Sequence, residues 1–383
     1  MRTIITAVLI FSVLATSAIH SVRAHTLNPG MIRHGVPGAQ GARIPRKFEK
    51  SFAGTMGANL KVRMELSSND DGTLYGEYLY ERVGISISLD GKISPKGDFI
   101  LTERDDDGKA TANFNGTAET RSVKGKTLIV LSGTWSKTGS QTGPNTGQTK
   151  ALSFSLSEEA FDLGPGLDIV SKTIKQTSKK PKYDIDVVYP QISGASATAA
   201  GFNRLVESLV QENVAEFKSG VEPADPADSP DLSGGSFSIS YKVTLATSDL
   251  ISVALLVSEY SAGAAHPNSY SASINYDIKS GKQLRLSDLF ATGKPYLQTI
   301  SKGCISRLKN RLGEGADAEW LERGAGAKAE NYKNWNLTTS GLEITFDSYQ
   351  VAAYAFGAQL VFLQYSELKP MIRIDGPIGS IVP

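Results

Sequence analysis

Side chains with the chemistry for catalysis are sparse in this chain. Histidine occurs at His20, His25, His34 and His266. No His-Glu-x-x-His pair is present to hold zinc, and no Gly-x-Ser-x-Gly turn presents a serine nucleophile. Gly125-Lys126-Thr127 echoes a phosphate loop, but Thr120 stands where that loop needs its first glycine, so backbone amides could not cradle a phosphate there. Asp105-Asp106-Asp107-Gly108 has the acid density of a calcium loop. With Gly108 at the sixth position, however, Phe114 falls where the bidentate glutamate belongs, so a hairpin turn is expected instead. Two carboxylates facing a groove would suffice for glycoside hydrolysis, yet nothing singles out a pair. Cys304 is the only cysteine and shares helical spacing with Leu297, Ile300 and Leu308, which predicts a core thiol and no internal disulfide. The expectation is a chain with no catalytic residues in the common patterns, no metal and no cofactor.

One histidine retains a functional reading. His266 lies in Tyr260-Ser-Ala-Gly263-Ala-Ala-His266-Pro267-Asn268, where small residues leave the backbone accessible and Pro267 restricts the residue before it. Such a turn offers a rigid edge to a partner, although the imidazole could equally cap the turn. Tyr349 and Tyr354 combine large apolar area with a polar tip, as contact residues do, and also suit a core position at strand ends. The candidate ligand-binding set is therefore Tyr260, Gly263, His266, Pro267, Asn268, Tyr349 and Tyr354. Trp135, Trp320 and Trp335 are expected in cores.

The elements that must position these residues come in two patterns. From 48 to 158 apolar residues alternate, as in Leu60, Val62, Met64, Leu66 and again in Leu152, Phe154, Leu156. Asp71-Gly72, Asp90-Gly91 and Asp107-Gly108 supply turn chemistry between such runs, which predicts consecutive antiparallel strands forming a barrel or sandwich. Beyond 183 the pattern changes. Tyr183 to Tyr189 reads as a strand, and Phe202, Leu205, Val206, Leu209, Val210, Val214 and Phe217 mark an amphipathic helix. Strands near 237–245, 250–257, 270–278 and 335–365, with helices near 286–312 and 316–323, complete an α+β region. The fold class is thus mainly β plus α+β: an N-terminal antiparallel β-barrel or sandwich followed by an α+β domain.

Between the two patterns lie Gly164-Pro165-Gly166 and the lysines Lys172, Lys175, Lys179, Lys180 and Lys182, which read as a linker over 159–182. Glu222, Asp225, Asp228 and Asp231 alternate with Pro223, Pro226 and Pro230, an exposed acidic loop. At the other end, Arg2, an apolar run to Ile19 and Val22-Arg23-Ala24 predict a signal peptide over 1–24, cleaved after Ala24, then a flexible lead over 25–47. The 48–158 β domain, the linker and an α+β domain over 183–383 follow. No later stretch approaches the roughly 18 apolar residues of a transmembrane helix, so a periplasmic or secreted protein is expected. Lys and Arg number 40 against 39 Asp and Glu, a balance that disfavours nucleic acid as partner.

The His266 turn, the strand ending Asn275-Tyr-Asp277, and Gly281 leading to Leu286-Ser-Asp288-Leu-Phe290 resemble the exported domain shared by RsiV-type anti-sigma factors and PdaC-type deacetylases. Gly341-Leu-Glu-Ile-Thr-Phe346, Tyr349-Gln-Val351 and Tyr354-Ala-Phe356-Gly357 extend the resemblance over about 183–375. In the anti-sigma factors such a domain binds lysozyme-type muramidases; in the deacetylases it accompanies a separate, metal-dependent catalytic domain that has no counterpart here. The resemblance implies an exported, non-catalytic binding protein whose partner is a muramidase or a cell-wall component. The alternative expectation is an envelope hydrolase or binding module acting on peptidoglycan or another carbohydrate.

Overall fold

The computed structural model describes residues 44, 45, 47–105, 107–123, 126–138, 151–194, 196–221 and 234–382. The expected signal peptide, nearly all of the lead with His25 and His34, Gly125 and the acidic run from Glu222 to Asp231 lie outside the described residues.

Eight strands follow as an antiparallel meander: β1 (Phe48–Met56), β2 (Leu60–Ser68), β3 (Thr73–Tyr80), β4 (Ile87–Ile93), β5 (Asp98–Arg104), β6 (Ala110–Val123), β7 (Lys126–Lys137) and β8 (Leu152–Glu158). β8 returns to pair with β1, setting Phe52 opposite Glu158 and Met56 opposite Phe154, and closes a barrel. Closure leaves no strand edge exposed. The alternating residues fill the interior: Phe52, Met64, Leu74, Tyr78, Leu101, Phe114, Leu131 and Leu156 are almost wholly buried. Phe114 stands edge-on to Tyr78 at 5.1 Å and to Phe154 at 5.3 Å, the arrangement that ring quadrupoles favour.

One expected turn is misplaced. Gly72 and Gly108 turn the chain at φ 81° and 75°, but Asp90-Gly91 lies inside β4, opposite Tyr75 and Leu74, and the turn comes later at Gly97, φ 96°. The glycine serves a close approach instead: a Cβ on Gly91 would stand 1.9 Å from the Ile100 carbonyl oxygen. Asp90 pairs across the strands with Arg104.

The second sheet comprises β9 (Asp168–Lys179), β10 (Lys182–Ser193), β11 (Gly235–Ala246), β12 (Leu250–Ser261), β13 (Asn268–Asp277) and β14 (Lys282–Gln283), in the order β14-β13-β12-β11-β10-β9. β9 overturns the linker reading of the lysine-rich segment. Its lysines hide the strand pattern while blunting an open edge against further pairing. β10 and β11 are parallel, joined by helix α1 (Ala197–Gly220), which Ser196 caps by accepting from the Ala199 amide at 3.3 Å. α1 lays Phe202, Val206, Val210, Val214 and Phe217 on the sheet.

The chain ends in α2 (Tyr296–Leu312), α3 (Ala318–Ala325), a small sheet of β15 (Trp335–Leu337), β16 (Gly341–Phe346) and β17 (Gln359–Gln364), and α4 (Tyr365–Leu368). The helix expected over 286–312 is broken. Gly293 at φ 77° and Pro295 separate a single 3₁₀ turn, Leu286–Leu289, from α2. Cys304 is fully buried on α2, and burial pushes its thiol well above the usual range. A buried polar seam joins the small sheet to the larger one. Asn275 donates to the Trp335 carbonyl at 2.7 Å, and Ser252 accepts from the Leu337 amide at 2.9 Å.

Candidate functional site

The His266 turn links β12 to β13, and Gly263 bends it at φ 86°. Its partners come from the loop between β16 and β17, some eighty residues later. The imidazole of His266 stacks on Tyr354 with centroids 3.7 Å apart and planes 19° from parallel, and Tyr349 leans on both at 6.4 and 5.4 Å. Tyr354 donates its hydroxyl to the Pro267 carbonyl at 3.2 Å, tying the two loops together. That carbonyl also lies 3.0 Å from His266 Nδ1. A carbonyl only accepts, so Nδ1 is the donor in that contact. His266 therefore both caps its turn and presents a ring.

These rings face solvent. Tyr349 is 55% exposed and Tyr354 is half-buried. Tyr349 is also the only non-glycine residue with positive φ among the described residues, at 69°. A bulky residue in that region costs of order 1 kcal/mol or more, so the surrounding turn must hold it there. Asp347 does much of this. It accepts from the Ser271 amide and the Asn334 side chain, each at 2.9 Å, and so pins the loop to β13. Burial pushes its carboxyl above the ordinary range, and these donors oppose that shift only in part.

Of the residues proposed from sequence, His266, Pro267, Tyr349 and Tyr354 thus come together. Gly263 shapes the turn, while Tyr260 and Asn268 sit at the facing ends of β12 and β13, opposite Ser236 and Glu259. Trp135 and Trp335 are buried as expected. Trp320 differs: it lies on the first turn of α3, half-buried, and donates from Nε1 to the Tyr349 carbonyl at 2.9 Å. Its place beside the rings was hidden because nothing in the local spacing relates position 320 to 349.

A second cluster, unforeseen from sequence, lies where the barrel meets both sheets. Lys242 on β11 reaches Glu65 on β2 and lies 3.3 Å from Glu343 on β16. Burial chiefly pushes Glu65 up to about 7; Lys242 counters this, while Glu343 and Glu77 add to it. Burial lowers Lys242 by itself, but the surrounding carboxylates outweigh it and hold the ammonium charged. Nearby, Arg63 grips Glu159 at 2.6 and 3.2 Å and reaches Thr339 at 3.1 Å. Glu65, Lys242 and Glu343 come from three different strands, so no local pattern announces the cluster. No group of three or more His, Cys, Asp and Glu side chains is placed to hold a metal among the described residues.

Known families match the two segments that meet at the rings. Residues 176–269, which include His266, match the family described as Deacetylase PdaC. Residues 287–366, which include Tyr349 and Tyr354, match a family described as a protein of unknown function, DUF3298. The second half of the chain is similar to PdaC- and DUF3298-type domains. A relative from Bacillus subtilis, peptidoglycan-N-acetylmuramic acid deacetylase PdaC, is 31% identical over 122 residues, 32% of this chain and 26% of that protein. The chain thus spans about a quarter of the length of the curated relative it matches. Among solved structures, a DUF3298 member from Bacteroides fragilis is 19% identical with a TM-score of 0.41, covering 56% of this chain and 98% of its own. Another from Pseudomonas aeruginosa is 15% identical with a TM-score of 0.39, covering 55% and 96%.

These matches correct the functional expectation. A non-catalytic binding protein was expected because no catalytic pattern stood out, but the matching family and the relative are both named for a deacetylase. They favour the alternative expectation over the main one. No helix of the described residues is long and apolar enough to cross a membrane.

Proposed function

We propose that this protein acts on the N-acetylated glycan of peptidoglycan, outside the cytoplasm, with the His266, Tyr349 and Tyr354 rings as the surface that receives the sugar. The observation that carries this reading is the convergence of three rings, two exposed and one half-buried, with Tyr349 held at an unfavourable φ, where the two family-matched segments meet. The C–H faces of a sugar ring lie well against the negative faces of aromatic rings, so such a surface suits a glycan. The relative's name supplies the substrate class.

His266 Nε2, the ring nitrogen that the Pro267 carbonyl does not engage, is the group on this surface that could exchange a proton with a bound sugar. In acetyl removal, the oxygen of water adds to the acetyl carbon, the C–N bond breaks, acetate leaves, and the freed amine takes up the proton. His266 would carry that proton between water and amine.

The test is incubation of the full chain with purified peptidoglycan, following both co-sedimentation and acetate release. The wild type is expected to sediment with the wall and release acetate. Tyr354→Ala is expected to weaken association about tenfold or more, and His266→Ala to remove acetate release and to weaken association as well, since its ring belongs to the same surface. A wild-type protein that neither sediments with peptidoglycan nor alters its muropeptides sinks the reading.

A further inference from the structure

One end of the barrel carries a cluster that neither the ring surface nor the joint uses. Glu103 continues the inward row of β5 after Phe99 and Leu101, opposite the buried Ala112. Three neutral donors from three other strands fix its carboxylate: the Tyr78 hydroxyl of β3, Trp135 Nε1 of β7 at 3.0 Å and the Thr111 hydroxyl of β6 at 2.7 Å. Tyr78 and Trp135 are buried. Burial first, with the bond to Glu103 adding to it, raises the Tyr78 phenol far above its ordinary range, so it remains a donor. Tyr80 meets Tyr78 edge-on with ring centres 5.4 Å apart, and at this end Tyr80, Ile87 and Leu152 pack half-buried on the barrel core. The opposite end is occupied by Ile44 and Ile93.

A carboxylate among rings costs stability that an apolar residue in its place would not. What it offers in return is chemistry. A fixed carboxylate supplies the counter-charge for an ammonium, and aromatic faces around it add a cation–π contact. The mouth of a β-barrel is also a common seat for a small ligand. Lys137, exposed at the same rim opposite Ala112, repels a cation, but it does so from solvent, where salt screens it.

We infer that this end of the barrel binds a small organic ammonium, with Glu103 as its counter-ion and Tyr78, Tyr80 and Trp135 as its wall. The site lies apart from the ring surface, and it does not depend on the proposed function.

Trp135 reports on it directly, because its indole N–H donates to Glu103. The indole resonances of isotopically labelled full-length protein, from Trp135, Trp320 and Trp335, are followed by nuclear magnetic resonance during titration with butylammonium. Butanol and butyrate serve as neutral and acidic probes of the same length. The Trp135 signal, assigned by its loss in Trp135→Phe, is expected to shift with butylammonium and to need about tenfold more butanol for the same shift. Trp320 and Trp335 are expected to stay in place. Glu103→Gln keeps an oxygen that accepts, and is expected to weaken butylammonium binding about tenfold. A Trp135 signal that never moves, or a response that survives Glu103→Gln, overturns the inference. So does an equal response to butylammonium and butanol, which marks an adventitious additive only. That comparison of probes uses the wild type, so it decides the matter even where the variant fails to fold. Failure here leaves the proposed function standing, since Trp320, not Trp135, adjoins the ring surface.

Discussion

Changing Glu65 to glutamine isolates the one carboxyl that titrates near neutrality at the joint between barrel and sheets. An ordinary glutamate titrates near 4.5 and Glu65 near 7, because burial, helped by Glu343 and Glu77, outweighs the Lys242 ammonium. The folded state thus holds the Glu65 proton more tightly than the unfolded chain does. Stability from this group is fully present below about 4.5 and is lost as pH rises through 7. At about 1.4 kcal/mol per pH unit, the fully buried limit is about 3 kcal/mol. A third of the Glu65 side chain reaches solvent, and screening brings this to about 1.5 kcal/mol.

Urea unfolding at intervals from pH 5 to pH 8 measures the difference. Wild-type stability should fall relative to Glu65→Gln by about 1.5 kcal/mol across this window. Other groups with raised values, such as Glu49 and Asp347, are present in both proteins and drop out of the comparison. Parallel pH profiles for the two proteins, or a wild type that gains on the variant as pH rises, would refute the assignment of Glu65 as a buried, proton-holding group.

Lys242→Met should cost about 2 kcal/mol at pH 8, where it strands Glu65 and Glu343 without an ammonium, and less at pH 5, where Glu65 is protonated; the same unfolding series reads this out. Gly91→Ala should cost about 3 kcal/mol because its Cβ would meet the Ile100 carbonyl, whereas Gly108→Ala, in open space, should cost only about 1 kcal/mol for its positive φ. Thermal melts that rank the two the other way would remove the close-approach explanation. Cys304 should resist a thiol reagent in the native protein and react only as fast as the molecule opens. Rapid labelling at low denaturant would contradict its burial.

Period and turn chemistry are local properties, and they carried most of the architecture. Alternation in 60–66 and 152–156 marked strands because side chains on a strand point alternately to either face, and the 3.6-residue spacing from Phe202 to Phe217 marked α1 for the equivalent reason. The same locality misled at Asp90-Gly91, where a turn-forming pair serves a close strand approach, and at β9, where edge lysines concealed a strand. The His266 turn, too, was legible from its small residues and proline. The company it keeps was decided only by tertiary structure. Stacking of His266 on Tyr354, the hold of Trp320 on Tyr349, and the meeting of Glu65, Lys242 and Glu343 all join residues distant in the chain. No spacing rule relates such positions. They become neighbours because burying the apolar faces of the sheets and helices brings their loops and strand ends together.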